Sequence, residues 1–89
     1  MLCMTKAAAG FLTAVLDEAR VSRDTAVRLT RKGEGFSFSS SLDTVRPGDI
    51  TISHSGRNVL LMDAVTSAVL TNRSLDVKVT GSGIRLQIC

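Results

Sequence analysis

The hydrophobic positions near the start of the chain recur at the spacing of an α-helix. They lie three and four residues apart along one stripe, at Ala8, Phe11, Leu12, Val15, Leu16 and Ala19. Thr5 precedes this stripe and can cap the first turn through its hydroxyl group. The pattern therefore predicts a first helix from Thr5 to about Arg20.

An alternating pattern follows the helix. Val27 and Leu29 share one side of an extended segment, and Arg28 lies on the other side. Residues 36–39 alternate phenylalanine with serine, and residues 32–35 between the two runs contain two glycines. The pattern predicts a hairpin of two half-buried strands with a glycine-rich tip, and with Arg28 on the solvent side.

Two turn signals divide the middle of the chain. The sequence Arg-Pro-Gly-Asp at 46–49 predicts a type II turn, because proline fixes the first central residue and glycine accepts positive φ at the second. Strands are predicted at 51–54 and 59–62. Between them, residues 55–58 place Gly56 in the first central position of a predicted type II′ hairpin.

A second helix and a final hairpin complete the pattern. Asp63 can cap a helix over residues 64–72, with an inner stripe of Val65, Ala68 and Val69. The strand that follows has Leu75, Val77 and Val79 on one face.

The final strand follows a turn at 81–83 and also has two distinct faces. Its apolar face carries Ile84, Leu86 and Ile88. Its other face carries Arg85, Gln87 and Cys89, which places the Cys89 thiol away from the core.

These elements predict an α+β fold, an antiparallel, β-rich, sandwich-like domain closed by two helices. A single domain is expected over residues 4–89, with residues 1–3 as a short disordered leader. The predicted core takes the positions where the helical and strand stripes meet, namely Leu12, Val15, Leu16, Val27, Leu29, Val69, Leu75, Val77, Ile84 and Leu86.

The charge and composition of the chain limit the classes of partner that it is expected to bind. Eleven Lys and Arg against eight Asp and Glu give a net charge of +3, and the chain has no Trp or Tyr to stack on bases. A basic charge without aromatic stacking residues, and without a helix that could enter a DNA groove, argues against binding to nucleic acid. No apolar run reaches the roughly 18 residues that span a bilayer, so no membrane association is predicted and the chain is expected to be cytoplasmic.

Few side chains could carry metal or covalent chemistry. The two cysteines, Cys3 and Cys89, are predicted to be free thiols, and His54 is the one histidine. Asp49 and Asp63 could orient His54, but no pocket for general acid or base catalysis is indicated. The carboxylates of Asp17, Glu18, Asp43 and Asp49 are expected on the solvated surface. The sequence predicts that the protein is not an enzyme.

The order of these elements resembles the HesB/IscA-like domain of A-type iron-sulfur carriers across nearly the whole chain. The residues that carry the resemblance are 4–9 at the first helix, 27–29 in the first strand, 46–50 at the Pro-Gly-Asp turn, 56–60, and 74–77. The resemblance implies three cysteine ligands, one at the glycine-rich tip and a Cys-Gly-Cys pair beyond the last strand. Here the tip, residues 32–35, has no cysteine, and Cys89 does not match the pair.

The resemblance without its ligands predicts a protein without cofactor or metal, an interaction or regulatory module linked to iron-sulfur or sulfur metabolism. The alternative is an iron or iron-sulfur cluster carrier that uses Cys89, either alone or together with Cys3, across a homodimer. A protein partner is expected to contact cations at the tip and the outer face of the last strand. That predicted partner-binding set is Arg28, Arg31, Lys32, Glu34, Arg85 and Gln87.

Overall fold

The computed structural model describes residues 2–33 and 37–89. In that part of the chain it contains two helices and seven strands, arranged in two sheets that enclose one hydrophobic core. The predicted α+β class is confirmed. The same residues include no helix long and apolar enough to cross a membrane.

Helix α1 (Lys6–Ala19) begins and ends where its sequence dictates. The Thr5 hydroxyl accepts a hydrogen bond from the Ala8 backbone N–H at 3.1 Å, which confirms the predicted cap. Arg20 adopts a left-handed conformation with φ of 54° and ends the helix. The buried face consists of Ala8, Ala9, Leu12 and Leu16.

The larger sheet has four strands, in the order β3-β2-β5-β4. They are β2 (Thr25–Lys32), β3 (Ser37–Thr44), β4 (Ile50–His54) and β5 (Arg57–Met62). Strands β2 and β3 form the predicted hairpin, and β3 extends beyond the predicted alternation at 36–39. Residues 34–36, which comprise two residues of the predicted tip and Phe36 of the predicted second strand, lie outside the described residues.

The expectation of wholly antiparallel pairing is wrong, because β5 pairs with β2 in parallel. The sequence of β5 explains its central position. Its last four residues, 59–62, are all apolar, and none of them is exposed to solvent. A continuous apolar run is typical of a strand covered on both faces, whereas a half-buried strand alternates.

The smaller sheet has three strands in the order β1-β6-β7. They are β1 (Cys3–Met4), β6 (Ser74–Thr80) and β7 (Gly83–Ile88). Strand β1 pairs in parallel with β6, and the neighbouring Leu2 is 3% exposed. The predicted disordered leader is therefore wrong at residues 2 and 3, because Leu2 is buried in the core and the Cys3 backbone N–H donates a hydrogen bond to the Arg73 carbonyl.

The two turn predictions have different outcomes. At the Pro-Gly-Asp turn, Gly48 has φ of 86° and the Asp49 backbone N–H donates to the Arg46 carbonyl at 3.0 Å, as a type II turn requires. In the β4–β5 hairpin both Ser55 and Gly56 have positive φ, 54° and 77°. This is the signature of a type I′ turn, so the predicted type II′ geometry is wrong: Gly56 occupies the second central position.

Helix α2 (Ala64–Val69) is shorter than predicted. Asp63 caps it as expected, accepting a hydrogen bond from the Thr66 backbone N–H at 2.7 Å. Val65, assigned to the inner stripe, is 68% exposed, and the buried positions here are Thr66 and Leu70. A helix of under two turns offers few repeats from which to identify its buried face.

The core lies between α1 and the two sheets. Its buried members include Leu12, Leu16, Leu60, Met62 and Leu75, all at most 1% exposed. Two predicted core residues, Val79 and Ile84, are instead 79% and 52% exposed. They pair across the β6–β7 hairpin near its turn, where the hairpin extends past the core. Alternation marks a face of a strand but does not indicate how far along the strand that face is covered.

Candidate functional site

An open groove of about 710 Å³ lies between the two sheets. It runs beside β3 and β7, which are edge strands of the larger and the smaller sheet. Its lining consists of Phe11, Leu29, Phe38, Ser39, Ser40, Arg73, Leu75, Ile84, Arg85, Leu86, Gln87 and Ile88. The groove therefore combines an apolar floor with polar and cationic side chains along its margins.

Strand β7 supplies most of one side of this groove. Five consecutive residues, 84–88, line it, and they belong to both faces of the strand. Residues of both faces can line one cavity only if the cavity runs along the strand edge. Two residues predicted to bind a partner, Arg85 and Gln87, are thus brought to the groove.

The other predicted contact residues lie near the opposite side. Arg31 and Lys32 are the last two residues of β2, and Arg31 is paired across the hairpin with Phe38, which lines the groove. Lys32 is exposed and Arg31 is half-buried. Glu34 lies outside the described residues, and its predicted role is not placed by the structure.

Arg28 does not lie on the exposed surface, and the expectation of an exposed cation there is wrong. It is 9% exposed. Its Nε donates a hydrogen bond to Asp43 Oδ2 at 2.7 Å. Its Nη1 donates to Asp49 Oδ1 at 3.1 Å. Its Nη2 donates to Asp49 Oδ2 and to the Thr44 carbonyl oxygen. Arg28 thus links β2 to the end of β3 and to the Pro-Gly-Asp turn.

The sequence pattern placed Arg28 on the correct side of β2 but misjudged what covers that side. Leu61 is the in-register neighbour of Arg28 and is fully buried, as is Ala26 two residues earlier. The solvated surface expected for the carboxylates is wrong for Asp49, whose side chain is 5% exposed. The sequence feature that could have indicated the burial of Arg28 is the pair Asp43 and Asp49 around one turn. A buried arginine needs negatively charged partners, and these two carboxylates are available.

The electrostatics of this cluster follow from its hydrogen bonds. Donation from the Arg28 guanidinium, followed by the Arg46 backbone N–H, lowers the pKa of Asp49 to about 2. The pKa of Asp43 is lowered chiefly by the Thr44 backbone N–H and then by Arg28. The Asp49 carboxylate in turn raises the pKa of Arg28. These hydrogen bonds favour the charged forms of Arg28, Asp43 and Asp49, so none of the three is a proton donor or acceptor poised for catalysis near neutral pH.

The two cysteines come together at one end of the smaller sheet. Cys3 is in register with Ser74 on one side. On the other side, the Cys89 backbone N–H donates to the Ser74 carbonyl at 2.9 Å. In-register residues share a face, and two strand spacings put the two cysteine Cα atoms about 10 Å apart. Both thiols are exposed and free.

We expect two titratable thiols per chain in freshly purified monomer. A disulfide requires Cα atoms within about 7 Å, and the intervening Ser74 keeps Cys3 and Cys89 beyond that distance. Titration with a thiol reagent before and after unfolding should give the same count. An intrachain disulfide detected by mass spectrometry in native monomer would contradict this geometry.

Arg73 also lines the groove, although no sequence pattern marks it as a candidate residue. It lies between α2 and β6, outside any periodic segment, so no pattern could place it. Among the described residues, no three His, Cys, Asp or Glu side chains lie close enough together to hold a metal ion.

Solved structures share this architecture. One of them is SufA of Escherichia coli, which is involved in the biosynthesis of iron-sulfur clusters. It matches at 22% sequence identity and a TM-score of 0.72, and the match covers 99% of this chain and 83% of SufA. A protein from Aquifex aeolicus matches at 21% identity and a TM-score of 0.74, covering 99% and 89%. IscA, solved with a [2Fe-2S] cluster, matches at 16% identity and a TM-score of 0.68, covering 100% and 84%.

No protein-family model matches this sequence, and no characterised protein matches it by sequence comparison. The structural matches extend over essentially the whole chain at low identity. They establish the shared fold, as the order of turns and strands predicted.

Proposed function

We propose, from the HesB/IscA-like fold that this chain shares with SufA and IscA, that it is a non-enzymatic interaction or regulatory module linked to iron-sulfur or sulfur metabolism. The observation that carries the proposal is the placement of its two cysteines. Both flank Ser74 at the end of the smaller sheet, whereas the hairpin tip at residues 32–35 contains no cysteine.

The donor set of one chain does not fit an iron-sulfur cluster. A [2Fe-2S] or [4Fe-4S] cluster takes four thiolates or comparable donors. One chain supplies two thiols about 10 Å apart, and no third metal-ligating side chain joins them among the described residues. The role proposed for the chain therefore includes no cluster.

A protein partner gives this fold a role without a cluster. The margins of the groove carry Arg85 and Gln87, and the end of β2 carries Arg31 and Lys32. We place Glu34 in the same contact surface on the basis of the sequence, and we remove Arg28 because it is buried. Exposed cations such as Lys32 and Arg85 steer an acidic partner and make its association depend on salt.

Charge reversal at the end of β2 tests this surface. The double variant Arg31→Glu and Lys32→Glu should capture less of an acidic partner from cell extract than wild type at low salt, and its capture should depend less on salt. The matched control is Arg23→Glu, an exposed arginine that lies two residues before β2 begins. Equal capture by all three proteins, with unchanged thermal midpoints, would contradict a role for these cations.

One observation favours a second function, a cluster carrier that works as a homodimer. Cys3 and Cys89 are exposed on one face of one sheet end, so two chains that met there would assemble four thiols, the number a cluster takes. The two functions differ in whether iron and sulfide bind the purified chain.

A further inference from the structure

We propose that the groove between the two sheets binds an extended segment of the partner protein, in which acidic and apolar residues alternate, as an added strand on β7. This inference rests on the proposed function and specifies its partner. It follows from three properties of the groove and of the β6–β7 hairpin beside it: an open strand edge, an exposed apolar face, and two cations, Arg85 and Lys78, that make no ion pair within the described residues.

The open edge belongs to β7. Within the described strands, β7 pairs with β6 on one side, and the groove runs along its other side. The unpaired N–H and C=O groups of an edge strand are a ready template for another strand. The six residues of β7 span roughly 20 Å, which suits a segment of five or six extended residues.

The uncovered apolar face continues from the floor of the groove. Ile84 lines the groove and is 52% exposed, and its cross-strand partner Val79 is 79% exposed. Together with Phe38, which also lines the groove, they form an apolar strip beside β7. Every second side chain of an added strand would fall on this strip, so those positions should be apolar.

The cations lie on the opposite face of the same hairpin. Arg85 and Lys78 are exposed cross-strand partners, and neither makes an ion pair within the described residues. Like charges placed directly opposite each other on a sheet are destabilising. A carboxylate on an added strand beside Arg85 would relieve that repulsion.

The charges also favour a different protein over a second copy of this chain. The described part of the groove lining includes two arginines, Arg73 and Arg85, and no carboxylate. Two chains, each with a net charge of +3, would bring these cations together if their β7 edges paired. An acidic segment is complementary both to the arginines that line the groove and to the net positive charge of the chain.

The test uses defined peptides and the whole chain. A fluorescein-labelled octapeptide that alternates valine with glutamate should bind wild type, as measured by anisotropy. A peptide of the same composition with its valines and glutamates in separate blocks should bind at least tenfold more weakly. Arg85→Glu should weaken binding of the alternating peptide at least tenfold and favour the valine-lysine version, whereas Arg23→Glu should change it less than twofold.

Backbone modification separates strand addition from simple charge attraction. N-methylation of the amides along one edge of the peptide should abolish binding, and methylation along the other edge should leave it intact. In nuclear magnetic resonance spectra, the backbone amides of 83–88 should shift on binding and become protected from exchange.

Three outcomes would overturn the proposal: equal binding of the alternating and block peptides, no effect of Arg85→Glu, or a homodimer paired through β7 in solution. If the peptides fail while the chain still binds no cluster and still captures a partner, the strand addition falls and the interaction module stands. If the chain binds a cluster, the proposed function falls regardless of the peptide result.

Discussion

Replacement of Leu75 by alanine should destabilise the protein by about 3 kcal/mol, from lost burial and from the cavity left behind. Leu75 is fully buried in the core cluster. It is in register with Met4 of β1 and with Ile88 of β7, so its side chain lies where the three strands of the smaller sheet meet the core. In a domain of this size such a loss is a large share of the total stability.

The matched control is Val79→Ala in the same strand. Val79 lies on the same face of β6 as Leu75 but is 79% exposed, so its truncation should change the free energy of unfolding by no more than about 0.5 kcal/mol. Chemical denaturation of both variants measures the difference. Equal losses for the two variants would show that the β6–β7 hairpin is covered along its full length, contrary to the structure.

Replacement of Arg28 by methionine should destabilise the protein by about 2 kcal/mol. Removal of one partner from a fully buried ion pair costs about 3–5 kcal/mol, and the effect here is smaller because the Asp43 side chain is 23% exposed. The matched control is Arg85→Met, the same change at an exposed arginine, which should be nearly neutral. Equal unfolding midpoints for the two variants would refute a structural role for the Arg28 cluster.

The pH dependence of this effect has a definite sign. The pKa of Asp49 is lowered from its ordinary value of 3.8 to about 2, chiefly by Arg28. The ion pair therefore contributes its full stability above pH 3.8 and loses it as the pH falls toward about 2. Wild type and Arg28→Met should differ in unfolding midpoint near neutral pH and converge in strong acid. A difference that persists unchanged at pH 2 would mean that Arg28 acts through packing alone.

The elements that the sequence predicted well are those set by local chemistry. Helix α1 follows from its apolar stripe and the Thr5 hydroxyl, and the turn at 46–49 follows from proline and glycine in their required positions. Short local signals gave less reliable results. Glycine occurs in both type I′ and type II′ turns, so Gly56 alone does not distinguish them. Nothing in the sequence indicates that Ser55 adopts a positive φ.

The features that the sequence did not predict depend on contacts between distant segments. The burial of Arg28 depends on Asp49, which lies 21 residues later, and the strand at Cys3–Met4 exists because β6 lies beside it. The two cysteines are at opposite ends of the sequence, yet they flank one residue, Ser74. Periodicity identifies faces of single elements and carries no information about which elements meet.

The candidate site was predicted in part for the same reason. Alternation placed Arg85 and Gln87 on one face of the last strand, and both line the groove. It could not predict that β7 would be a sheet edge facing β3, or that Arg73 would join the lining. Edges are properties of the assembled sheet, so a groove between two of them is visible only in the fold.

The central proposal is that this chain, which shares the fold of SufA and IscA, binds no iron-sulfur cluster. Anaerobic reconstitution with iron and sulfide tests this directly. IscA, which was solved with a [2Fe-2S] cluster, serves as the positive control when treated in parallel. After desalting, this protein should carry no bound iron and show no visible charge-transfer absorption, and Cys89→Ser should behave identically. A stable absorption band with retained iron, lost in Cys89→Ser, would contradict the claim and identify the chain as a carrier.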